Sequence, residues 1–219
     1  MKKFELKTRT NLFEEFRSIR DKKCIILLLL ETLKQLLILN NEIKEFKDLK
    51  IIDNEEEMRI VVCIDKMKRL FYCTKNKVQT FCFPFNIIAS DNRIEFYYNN
   101  SEIDLTKISI LIGVFSNSPM NNSLNLVESL LSEECYNKYS KEEQNLLEEL
   151  VLFLSIFEDG YLRFDFKDEE NFDEETHPKD HIDFFYTNSN TFKLGINSEI
   201  SLKEIIEIID INQKCLHVH

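Results

Sequence analysis

Three glycines in 219 residues, Gly113, Gly160 and Gly195, restrict this chain more than any other feature, and no two are closer than 35 positions. A loop that cradles phosphate needs clustered glycines, because side chains keep the backbone away from the phosphate oxygens. The spacing excludes a P-loop, a dinucleotide fingerprint and a kinase-type glycine-rich loop. The G-x-S-x-G nucleophile elbow is missing as well.

Charge narrows the field further. Lys and Arg number 28 against 39 Asp and Glu, a net of −11. A field of that sign repels nucleic acid, whose binding is dominated by phosphate neutralisation. Nucleic acid is therefore expected to be met only indirectly or through a local basic patch. The six cysteines, at 24, 63, 73, 82, 135 and 215, include no pair closer than nine residues, so no C-x-x-C knuckle exists. Cys63, Cys73 and Cys82 lie in apolar runs, where cysteine packs as a small hydrophobe. The first twenty residues are charged throughout and carry no signal-peptide core. Reduced thiols and a cytoplasmic location are the expectation.

With 43% hydrophobic and 31% charged residues the chain can bury a core. The first 45 or so residues read as helical, with Leu12, Phe16 and Ile19 followed by dense packing from Ile25 to Leu39. The apolar run Cys24 to Leu39 is 16 residues long and contains Glu31, Lys34 and Gln35. A membrane span needs about 20 mostly apolar residues, so no membrane contact is expected. The run reads as a buried or dimer-forming helix, and as the surface where a protein partner or a second copy docks.

From Met58 the period changes. RIVVCI (59–64), RLFYCT (69–74), VQTFCF (78–83) and RIEFYY (93–98) are short β-branched and aromatic runs that predict an antiparallel meander, with Pro84 at a strand end. Residues 108–115 fit helix or strand. The loop SNSPMNNS (116–123) predicts a boundary between parts 1–118 and 119–219, which also reads as one continuous domain. Beyond it, 124–131 is helical. Ser140-x-x-Glu143 and Ser201-x-x-Glu204 are capping boxes that open two more helices. The first carries a stripe from Leu146 to Phe157 and is expected to stop at Asp159-Gly160. Strands are predicted at 161–166, 181–186 and 192–196. The fold class is α+β: an N-terminal helical segment, a central antiparallel sheet, then helices packed on a second small antiparallel sheet.

Side chains alternate faces along a strand. Tyr161, Arg163 and Asp165 therefore share one face of their strand, as do His181, Asp183 and Phe185 of theirs. If the two strands pair with apolar faces together, Arg163, Asp165, His181 and Asp183 converge, and Lys193 joins them from the third strand. His177 and Pro178 follow an acidic loop, 167–176, of six carboxylates and one lysine.

Three readings compete. In one, His177, His181 and Asp183 or Asp165 hold a divalent metal, Zn or Mn, that activates water for phosphodiester hydrolysis. Asp165, His181, Asp183 and Lys193 are then the catalytic candidates, with Lys193 or Arg163 stabilising the developing charge. In the second the residues are structural cross-strand pairs. In the third the face binds a partner protein or a nucleic acid end, with Tyr161, Phe185 and Tyr186 as aromatic anchors and Arg163 and Lys193 as charge contacts.

The run Glu158 to Asp165 (EDGYLRFD), then His177 to Tyr186 (HPKDHIDFFY) and Thr191 to Gly195 (TFKLG), resembles the C-terminal signature of an uncharacterised bacterial family. That signature is a Gly-Tyr-[Ile/Leu]-Arg-[Tyr/Phe]-Asp strand followed by His-Pro-x-x-His-x-Asp. The resemblance covers about 40 residues of the chain and names Arg163, Asp165, His177, His181 and Asp183 as signature positions. Members of the family look like accessory proteins of defence or mobile-element loci, and no activity comes with the resemblance. It implies a bacterial accessory or interaction protein, a subunit of an antiviral defence complex. The alternative is a metal-dependent nuclease or phosphodiesterase centred on His177, His181, Asp165 and Asp183.

Overall fold

A computed structural model describes residues 3–9, 19, 21–45, 57–64, 67–90, 93–120, 123–132, 136–167, 172–173, 175–187, 190–196, 200–210 and 212–213. The architecture is α+β, and the chain divides into two compact units that interleave in sequence. Residues 1–9, 44–82 and 160–219 form the first, and residues 10–43 and 83–159 the second. This partition differs from one at 118/119.

The first unit is built on one antiparallel sheet of eight strands. In chain order these are β1 (Lys3–Arg9), β2 (Lys44–Glu45), β3 (Glu57–Cys63), β4 (Arg69–Cys73), β5 (Lys77–Cys82), then β9 (Leu162–Asp165), β10 (His181–Thr187) and β11 (Asn190–Gly195). Their spatial order is β11-β10-β9-β5-β4-β3-β1-β2. The predicted second sheet at the C-terminus is thus continuous with the central one. Strand β9 pairs with β5, Asp165 opposite Lys77 and Arg163 opposite Gln79. Two separate sheets would each present an open row of unpaired N–H and C=O groups at this seam, and joining them removes both edges. A C-terminal helix, α5 (Leu202–Ile209), begins at Ser201, whose hydroxyl accepts from the Glu204 N–H in the expected capping box. It presents Ile205 and Ile206 to one face of the sheet, against Val61, Cys63, Phe71, Val78, Phe164 and Ile182.

The N-terminus is strand where helix was expected. Phe4, Leu6 and Thr8 alternate with Lys3, Glu5 and Lys7, and Leu6 is buried while Lys7 is exposed. That period of two sits beside a dense apolar helix and was overshadowed by it. Leu12 and Phe16 lie outside the described residues; Ile19 is buried.

The second unit holds the remaining helices and a small sheet. Helix α1 (Lys22–Ile38) starts at Asp21, whose carboxylate accepts from the Cys24 N–H. Six consecutive residues, Ile25 to Leu30, are buried, as are Thr32, Leu33 and Leu36. Glu31, Lys34 and Gln35 are half-buried and Ile38 is exposed, while the apolar residues of α1 turn inward and pack chiefly on α2 (Leu105–Asn117). The expected docking surface at Cys24 to Leu39 is therefore largely spent on internal packing. No helix among the described residues is long and apolar enough to cross a membrane.

Strands β6 (Asn86–Ser90), β7 (Arg93–Tyr98) and β8 (Ser101–Glu102) make a three-stranded sheet. RIEFYY thus leaves the meander that its three predecessors form. Pro84 follows β5 and offers no N–H to extend that ladder, and the chain crosses to the second unit there. Helices α3 (Ser123–Ser132) and α4 (Lys141–Ile156) complete the unit, α4 opening at the Ser140 capping box. Residues 105–117 resolve as helix. The C-cap of α4 is Phe157, short of Gly160. Gly160 instead takes a positive φ of 54° in the turn into β9, a conformation that strains other residues.

Candidate metal centre

The polar face of the first unit is assembled by register. Across β9 and β10, Asp165 stands opposite His181 and Arg163 opposite Asp183; across β10 and β11, Asp183 stands opposite Lys193. The alternation read from sequence holds, and all five side chains look the same way. The opposite, apolar face of these strands carries Phe164 and Ile182, which are covered by α5.

His181 is fully buried, and the Asp183 and Asp165 side chains are 4% and 8% exposed. Nδ1 of His181 lies 2.8 Å from the Pro178 carbonyl oxygen. A carbonyl only accepts, so Nδ1 carries the proton and Nε2 is left with a lone pair. Nε2 faces Lys193 Nζ at 3.0 Å, Asp165 Oδ2 at 3.5 Å and Asp183 Oδ1 at 3.8 Å. An ammonium only donates, which assigns Nε2 the same acceptor role from the other side.

The two carboxylates are held by two cations. Arg163 Nε donates to Asp165 Oδ2 at 2.6 Å, and its Nη2 donates to Asp183 Oδ2. Lys193 Nζ donates to Asp183 Oδ1 at 2.7 Å. Burial alone would lower the Arg163 pKa; the paired carboxylates outweigh it, so the guanidinium is held even more firmly charged. Two cations thus lie in direct contact with the two carboxylates. Lys77 Nζ adds a longer contact to Asp165 Oδ1 at 3.8 Å.

Burying an ion costs several kcal/mol, about as much as a good pairing returns, so apolar residues here would fold as well. Two carboxylates and an imidazole kept buried, with two partly exposed cations beside them, are therefore a candidate for function. Asp165, His181 and Asp183 each direct one ligand atom to a common region, those atoms lying within 4.8 Å of one another. Two carboxylates and one imidazole form a donor set suited to Zn or Mn. Three protein ligands leave positions for water and substrate, as catalytic sites do.

The other expected residues are placed around this cluster. The His177 ring packs edge-on against His181, centroids 4.7 Å apart, on a bridge whose backbone pairs with Asp173. The three converging ligand atoms are those of His181 and of both aspartates that the sequence offered, and His177 is not among them. Tyr161 is buried and lies on Phe185, ring centroids 4.6 Å apart, with Arg163 5.8 Å over Phe185. Burial, with Asp165 and Asp183 nearby, pushes the Tyr161 phenol well above its ordinary range. An aromatic so enclosed braces Arg163 more than it offers a stacking platform. The side chain of Tyr186 lies outside the described residues. Two participants escaped the sequence reading, the Pro178 carbonyl and Lys77, and Gln79 stands opposite Arg163 in register. Strand alternation puts Lys77 and Gln79 on one face of β5, but nothing local tells that β5 neighbours β9.

No family model, curated protein or solved structure matches this chain.

Proposed function

We propose that the chain is a metal-dependent hydrolase of phosphodiesters, with Asp165, His181 and Asp183 as the metal ligands. The observation that supports this reading is the convergence of those three ligand atoms within 4.8 Å on a buried face. The Pro178 carbonyl fixes the tautomer that turns the Nε2 lone pair inward, the second-shell bond that metal-binding histidines usually have. A divalent ion there would bring the pKa of bound water toward neutrality and supply hydroxide for attack at phosphorus. Arg163 and Lys193 stand beside it to offset charge gathering on the phosphoryl oxygens. The competing contact role had α1 as its main surface, and most of the apolar residues of α1 are packed inside the chain.

The test is calorimetric titration of the full chain with Zn²⁺ and Mn²⁺, beside hydrolysis of bis(p-nitrophenyl) phosphate in the same buffers. The expected result is one metal per chain and metal-dependent cleavage, both lost in His181→Ala with the circular dichroism spectrum unchanged. Stoichiometric binding that survives in His181→Ala, or no binding by the wild type, contradicts the reading.

A further inference from the structure

We infer that Lys193 is the site's own counter-cation and competes with a metal ion for one lone pair, so that a metal on His181 and the Lys193–His181 contact exclude each other. The inference rests on the metal reading above and adds what controls occupancy.

The argument is geometric. With its proton on Nδ1, the His181 ring has a single in-plane lone pair, on Nε2. Lys193 Nζ already uses it at 3.0 Å while donating to Asp183 Oδ1 at 2.7 Å, which places the ammonium between two of the three candidate ligand atoms. A metal bound to Nε2 at about 2.0–2.1 Å needs that same lone pair. The ammonium and the metal would also repel at so short a separation.

The two cations differ in their freedom to move. Arg163 sits on β9, between β10 and β5, and its planar fork ties Asp165 to Asp183. Lys193 sits on β11 at the end of the sheet; its side chain is no more exposed than that of Arg163 (26% against 27%), but its charge is a single point on a flexible stem. Arg163 fixes the carboxylates, and Lys193 holds a cation's place and gives it up. Its release from His181 then frees the ammonium, at a greater distance from the metal, to meet an anionic substrate.

Zn²⁺ and Mn²⁺ titrations of the wild type, Lys193→Met and Lys193→Gln test this, with folding checked by melting curves. Both variants are expected to bind about tenfold tighter or more, since a competing charge is gone from the first contact sphere. Unchanged or weaker affinity in a folded variant overturns the inference and leaves the metal reading standing. Binding by neither wild type nor variants overturns both; binding by the variants alone supports the competition and overturns the metal reading for the natural chain. The wild type provides a readout that needs no variant. Saturating Zn²⁺ should raise acetic anhydride labelling of Lys193, and labelling that does not respond to bound metal overturns the competition.

Discussion

At the scale of single residues, the account turns on how the His181 ring is held. Gly195 stands opposite His181 across β10 and β11, and a Cβ there would lie 3.1 Å from Pro178 Cγ. The absence of a side chain lets the proline ring approach, and that proline's carbonyl anchors Nδ1. Gly195→Ala should therefore keep the sheet but shift Pro178, lowering Zn²⁺ affinity by about 10–100-fold, the usual effect of losing an outer-shell partner. Equal affinity in the two proteins would show that Pro178 does not position the ring. The shared face of Arg163, Asp165, His181, Asp183 and Lys193 was legible because strand alternation is a local property. That both Asp165 and Asp183 join His181 while His177 does not was not, since it depends on the pairing of β9 with β10.

At the scale of elements, local signals served well where the stabilising contact is local. Both capping boxes form as the Ser-x-x-Glu spacing predicts, and Pro84 marks the end of a strand. The stop of α4 was misplaced because Asp159-Gly160 serves the turn into β9 rather than the helix. The packing of α5 on β3 and β4 carries its own prediction. Burial raises the Cys63 and Cys73 thiols from 9.0 to about 12. The unfolded chain would then lose these protons first, so stability from the neutral thiols is held below about pH 9 and declines as pH rises toward the folded values. At pH 8 iodoacetamide should modify the half-buried Cys24 and Cys82 well before Cys63 and Cys73. Ile205→Ala should loosen the cover at a stability loss of about 2–5 kcal/mol and speed labelling of Cys63 and Cys73. Early labelling of Cys63 in the wild type, mapped by mass spectrometry, would refute the packing described.

At the scale of the whole molecule, the α+β class was readable and the wiring was not. The β5–β9 pairing joins segments some eighty residues apart, and the meander's period says only that strands exist. A leucine-rich helix likewise suits a dimer seam or an enclosed core, and in the folded chain most of the apolar residues of α1 are enclosed. The interleaving has a functional consequence: the first unit alone contains every residue of the proposed metal centre. The most direct measurement is anomalous diffraction from crystals of the full chain soaked in Zn²⁺. The account predicts one peak at about 2.0–2.2 Å from Asp165, Asp183 and His181 Nε2, with Lys193 swung away from the ring. No peak, with Lys193 Nζ still seated against His181 in zinc-saturated crystals, would contradict it.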